Sequence, residues 1–162
     1  MLSHSAVGSI FTVYLLGVVS SAWMGELAGR FGRGKVFSIS CAIALAGIGL
    51  TLTHALATII AGVAVLTFGF FGAHSVASSW VGMRAKHSKG QASALYLFFY
   101  YLGGSVVGSC GGWFWSTARW NGVAAFTGSL LVVALAISRR LSTLPRLPEM
   151  ASQEDAVPIL SE

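Results

Sequence analysis

From Val36 to Gly82 the chain carries no Asp, Glu, Lys or Arg. A run of that length cannot be one buried helix of a soluble domain. It is about twice the ~20 residues needed to cross a ~30 Å hydrocarbon layer, so it is expected to fold back once within a bilayer. The pattern continues on both sides. Apolar stretches fall over residues 5–28, 36–53, 56–82, 92–115 and 121–138, each near or above the length of a tilted spanning helix. Lipid has no water to satisfy backbone N–H and C=O groups, so such segments must pair them internally as helices. A barrel would show shorter segments with strict alternation, and LTLTHALATIIAGVAVLTFGF has none. The expected fold class is an all-α membrane protein of five transmembrane helices. Residues 1–140 form the transmembrane region and residues 141–162 a disordered tail.

Composition agrees. Charged residues make up 9% of the chain, against about 25% in an average soluble protein. Apolar residues make up 55% and the mean hydropathy is +0.76. A soluble domain would need a charged exterior to stay dissolved. The net charge of +5 does not indicate nucleic acid, because the basic residues sit in short clusters between apolar stretches rather than along one face. Cys41 and Cys110 lie inside apolar stretches without CxxC or metal-ligand spacing. They read as small apolar residues. The first stretch lacks a basic n-region and is too long for a cleaved signal peptide.

The basic residues alternate in position. Arg30, Arg33 and Lys35 follow the first stretch. Arg84, Lys86 and Lys89, with His87, follow the third, and Arg139, Arg140 and Arg146 follow the fifth. The intervening loops offer only His54 and Arg119. Nine Lys and Arg therefore face one side and one faces the other. The positive-inside rule makes the basic side cytoplasmic, with the N-terminus outside and the C-terminus inside. Trp113, Trp115 and Trp120 bracket the outer loop as an interfacial belt would, and Trp23 and Trp80 approach the cytoplasmic ends. The tail holds all three prolines and four of the five acids.

Between the first two stretches the chain reads GELAGRFGRGK, from Gly25 to Lys35. Glycines let two helices turn within a few residues, and basic residues hold such a loop in the cytoplasm and can meet helix C-termini. This segment resembles the loop signature G-x-L-a-D-r-x-G-r-r of the major facilitator superfamily, matching at Gly25, Leu27, Ala28, Arg30, Gly32 and Arg33. The resemblance implies a loop that helps latch the cytoplasmic gate. Gly29 stands where the signature has Asp, which puts the latch in doubt and points to the second, often degenerate copy of the motif. The wider text, including GSIFTVYLLGVVSSAWMGELAGRFGRGKV and QASALYLFFYYLGGSVVGSCGGWFW, looks like the YnfM-like branch of that superfamily. That resemblance covers most of residues 6–140. It implies helices eight to twelve of a twelve-helix secondary transporter, truncated before the eighth and missing the whole N-terminal half. A tight basic loop that merely sets topology is the plainer alternative.

Few side chains suggest a site. His74 is the only ionisable side chain deep in an apolar stretch, and it needs a partner there. It is a candidate substrate or proton site, with Ser78 and Tyr96 as further candidates. The alternative is a histidine bonded to backbone or to a serine, with Ser75, Ser78 and Ser79 nearby in sequence. Tyr14, Tyr100 and Tyr101 could also line a cavity, although packed or interfacial positions are equally expected of tyrosine. Glu26 and Arg30 have i,i+4 spacing and should pair at the helix end. Gly104, Gly108 and Gly112 recur every four residues, as do Gly17, Ser21 and Gly25. Both sets give the small-residue face of close helix packing.

No constellation supports an enzyme, a metal site or a cofactor. The chain lacks G-x-S-x-G, H-E-x-x-H and the Walker loop. The expected partners are the lipid bilayer, the missing N-terminal half or another transporter chain, and a small-molecule substrate of unknown identity. The expected function is export of small organic solutes or drugs from the bacterial inner membrane. The competing reading is a membrane interaction subunit or an inert truncated product.

Overall fold

The structure is a computed structural model that describes residues 4–85 and 88–142, without the side chains of residues 4–14 and 141–142. Tyr14 as a side chain, Lys86, His87, Arg146 and the rest of the tail therefore lie outside the described residues. Four helices follow one another: α1 (His4–Phe31), α2 (Arg33–Thr51), α3 (Leu56–Arg84) and α4 (Lys89–Ser142). Helix α4 is interrupted at Ala118 (φ −134°, ψ 18°) and Arg119 (φ 52°, ψ −143°). It thus consists of a first arm, residues 89–117, and a second arm, residues 120–142. Helical segments lie over the five apolar stretches, except that α2 ends at Thr51, two residues before the second stretch does. Among the described residues, Arg33–Thr51, Leu56–Arg84 and Lys89–Arg140 are long and apolar enough to cross a membrane.

The turns follow from local sequence. Gly32 separates α1 from α2 with φ 92°, a left-handed value that a residue with a Cβ adopts only at a cost. A single non-helical residue then suffices to reverse the chain. Leu52 to Ala55 connect α2 to α3, and the Thr51 and Thr53 hydroxyls donate back to the Ile48 and Leu50 carbonyls at 2.6 and 2.9 Å. Those bonds satisfy carbonyls that the helix end leaves without partners.

The interior is built from small residues. Helices α2 and α3 share the most extensive interface, followed by α1 and α3. Along the α2–α3 seam Gly47, Gly62 and Gly69 bring backbone against backbone. A Cβ at Gly62 would lie 2.8 Å from the Gly47 carbonyl oxygen, and one at Gly69 would lie 2.6 Å from that of Ser40. Ser20, Ser40, Cys41, Ala28, Ala44 and Val76 are buried, while Leu15, Val18, Trp23, Phe98, Phe99 and Val132 are exposed. A water-soluble fold places these classes the other way round. Small residues inside and large apolar ones outside suit a protein surrounded by lipid, where close packing rather than apolar burial holds helices together. Several interior hydroxyls find carbonyl acceptors, across helices or within one. Ser20 donates to the Phe68 carbonyl, Ser75 to that of Ser21 at 3.0 Å and Ser40 to that of Val36 at 2.9 Å.

The up-and-down order collects charge at one end. Arg30, Arg33, Lys35, Arg84, Lys89, Arg139 and Arg140 all sit where α1 and α3 end, α2 and α4 begin, or the second arm ends. Arg119 stands at the opposite end.

Candidate functional site

The loop motif is compact. Arg30 donates to Glu26 at 2.6 Å across one helical turn, with both side chains mostly exposed. Leu27 packs against the cluster of Met24, Ala28, Val36 and Val76. Gly25 has ordinary room, its notional Cβ lying 3.6 Å from the Ser75 hydroxyl. Gly29, at the position of the signature Asp, has nothing within 4 Å of a notional Cβ. Arg33 is partly buried, and its Nε lacks a hydrogen-bond partner.

His74 sits where α3 meets the first arm. The Tyr96 hydroxyl lies 3.0 Å from His74 Nδ1 and 3.4 Å from the His74 carbonyl oxygen. The Tyr100 ring is tilted against the imidazole at 4.6 Å between centroids, and the Phe70 ring lies near-parallel to it at 6.3 Å and 15°. The expectation that a serine satisfies His74 does not hold. Ser75 is turned to α1 and Ser79 to the Val76 carbonyl, while Ser78 is exposed one turn from His74. Residues one, four and five positions on share α3 with the histidine, and the bond comes instead from the facing helix. With Nδ1 engaged, Nε2 is left without a hydrogen-bond partner among the described residues. It can donate or accept according to the tautomer.

Beside this cluster opens a cleft of about 540 Å³ lined by Phe70, Tyr100, Tyr101, Gly103 and Gly104. The size suits a small organic molecule. Phe70 and Tyr100 belong to both cluster and cleft, so the imidazole adjoins it through two shared aromatic walls. The cleft lining offers ring faces and the tyrosines Tyr100 and Tyr101, with the His74 imidazole next to it. Among the described residues, no group of three His, Cys, Asp or Glu could hold a metal ion.

The two small-residue faces differ. A Cβ at Gly17 would meet the Phe71 ring at 2.6 Å, and Ser21 donates to the Phe71 carbonyl at 3.5 Å, so that face does bring α1 onto α3. Gly104, Gly108 and Gly112 have nothing within 4 Å. Among the described residues nothing packs on that face. The Gly47, Gly62 and Gly69 seam was missed in the sequence because those glycines lack a run of equal spacing.

Comparison with known proteins places this architecture. The family model described as Major Facilitator Superfamily matches residues 1–159. The chain belongs to the major facilitator superfamily. It is 46% identical over 145 residues to the "Uncharacterized MFS-type transporter YybF" of Bacillus subtilis, covering 90% of this chain and 36% of that protein. It is 49% identical over 139 residues to the "Inner membrane transport protein YnfM" of Escherichia coli, covering 86% and 33%. An "Uncharacterized transporter" of Buchnera aphidicola (Schizaphis graminum) is 40% identical over 140 residues, covering 86% and 34%. The chain thus spans about a third of the length of the curated relatives it matches. No solved structure matches it. This major facilitator chain is a multi-pass membrane protein related to transporters.

Proposed function

We propose that this chain forms the C-terminal part of a secondary active transporter of the bacterial inner membrane. It would export small organic solutes or drugs by alternating access. Its five helical segments cross the bilayer, the N-terminus outside and the basic end in the cytoplasm. The collection of seven described Lys and Arg at one end supports that orientation, and coverage of a third of longer transporters supports the partial reading.

The observation that carries the site is the His74–Tyr96 bond at 3.0 Å beside an open aromatic cleft. An ionisable group in such a position marks a substrate or proton path by default. The solute enters the cleft, its rings against Phe70 and Tyr100 and a polar group at His74 Nε2. A screen of small aromatic solutes by thermal unfolding of the purified chain tests this. A stabilising solute should lose its effect in His74→Leu and Tyr100→Ala while keeping it in Gly108→Ala. Stabilisation indifferent to His74 and Tyr100 removes the assignment. The chain alone should not transport, and solute efflux from liposomes holding only this chain would overturn the partial-carrier reading.

The uncovered Gly104, Gly108 and Gly112 face favours a second reading as well, a non-transporting membrane subunit that packs on another carrier. Stable co-purification with a separate transporter chain, lost on Gly108→Leu, would select it.

A further inference from the structure

At the basic end, away from the His74 cleft, lies a second cavity of about 310 Å³. Phe37 of α2, Ala77 and Val81 of α3, and Ala134 and Ile137 of the second arm give it apolar walls. Ser138 also lines it. That side chain is only 4% exposed, yet its hydroxyl has no hydrogen-bond partner. The other described buried polar atom without a partner is Arg33 Nε. Arg33 precedes Phe37 by four residues on α2, so the two share a helix face. The Ser138 orphan lines the groove itself, and Arg33 stands one helical turn from its Phe37 wall, at the start of α2. Arg84 stands at the same end, exposed, its guanidinium 5.9 Å from the centre of the Trp80 ring. Native proteins rarely leave buried donors without acceptors, and an orphan points to a missing partner.

That partner is not in the described chain. Glu26 is the only described carboxylate, and Arg30 already holds it at 2.6 Å. The groove thus has apolar walls, one buried hydroxyl without a partner and an exposed arginine in its lining, with a second orphan donor one turn from Phe37. We propose that it binds one anionic phospholipid of the leaflet at the basic end. An acyl chain lies along Phe37, Val81 and Ala134. The phosphate sits at Arg84 and Arg33, and an ester oxygen accepts from Ser138. The inference needs only that the chain lies in a bilayer with its basic end at a leaflet surface. It is independent of what the protein carries.

Native mass spectrometry of the whole chain in detergent, titrated with phosphatidylglycerol and phosphatidylcholine of identical acyl chains, tests it. One phosphatidylglycerol should be retained about tenfold more tightly than phosphatidylcholine, the preference that one or two arginines give an anionic headgroup. Arg84→Gln and Ser138→Ala should each reduce that preference, and Ala134→Phe, which fills the groove, should abolish the adduct. Equal retention of the two lipids would overturn the proposal, as would an unchanged adduct in Ala134→Phe. If Ala134→Phe loses helicity by circular dichroism, exposed Arg84→Gln decides, and an unchanged preference there overturns the proposal. A dimer that Ala134→Phe dissolves would assign the groove to a second copy. Lipid retention that appears only after deletion of residues 143–162 would assign it to the tail. Either result replaces the lipid.

Discussion

Replacing Gly69 with alanine drives a methyl group into the α2–α3 seam. The added Cβ would lie 2.6 Å from the Ser40 carbonyl oxygen and 2.8 Å from Ala44 Cα, where ordinary contact begins at 3.4 Å. Both obstacles are backbone atoms, so no rotamer change relieves them. The helices must part by roughly 0.5–1 Å, a gap that already forfeits a quarter to a half of each dispersion contact. Overpacking of this kind costs about 1–3 kcal/mol. Against it stands the better helix propensity of alanine, about 0.8–1.0 kcal/mol. Two backbone obstacles put this site at the upper end of the overpacking range, so the expected net effect is a loss of about 2 kcal/mol. Gly108→Ala is the matched control, because its Cβ meets nothing within 4 Å and only the propensity gain remains. Unfolding of the chain in micelles titrated with sodium dodecyl sulfate, followed by far-UV circular dichroism, reads both. Gly69→Ala should unfold at a lower detergent fraction than the wild type and Gly108→Ala at an equal or higher one. An unchanged midpoint for Gly69→Ala would refute the close seam.

Tyr96→Phe removes the hydroxyl 3.0 Å from His74 and should cost about 0.6 kcal/mol, at most about 1.7, as interhelical bonds in lipid do; the same titration measures it, and a His74→Phe, Tyr96→Phe double variant should be less than additive. Glu26→Gln should move the unfolding midpoint by less than about 0.5 kcal/mol, because the Arg30 pair is an exposed i,i+4 contact. Arg119→Gly should stabilise by about 1 kcal/mol, since φ 52° with ψ −143° suits glycine; a lower unfolding midpoint would count against the break. In a cysteine-free background, an impermeant maleimide should label His54→Cys in intact cells and Lys89→Cys only after permeabilisation, and the reverse pattern would invert the proposed orientation.

Much of the fold was legible because lipid leaves the backbone so few options. The helical segments lie over the apolar stretches, Gly32 makes the turn that its motif implied, and Glu26 pairs with Arg30 one turn on. These are local consequences of composition and helical spacing. Which helix faces meet is not local. The regular Gly104, Gly108 and Gly112 series looked like a packing face and meets open space, whereas Gly47, Gly62 and Gly69 sit on two helices with no shared period and make the closest contact. The sequence marks His74 as a residue that needs a partner. Its neighbours in sequence are serines, and its partner, Tyr96, is 22 residues away on another helix. Only tertiary placement could tell the two apart.

The glycine seam has a mechanical consequence. Side chains that interdigitate can change rotamers and settle into a second register, but two backbones in direct contact have no rotamers to change. Helices α2 and α3 therefore have one way to fit, and any displacement between them opens a void that nothing nearby can fill. They move as a single plate. The first arm of α4 is tied to that plate chiefly through the His74, Tyr96 and Tyr100 cluster, and it joins the second arm at the broken backbone of Ala118 and Arg119. The close-packed seam thus leaves the first arm less tightly held than the α2–α3 pair, with the His74 cluster as its attachment to α3. A solute bound in the proposed cleft would therefore sit at the junction between the close-packed pair and the first arm.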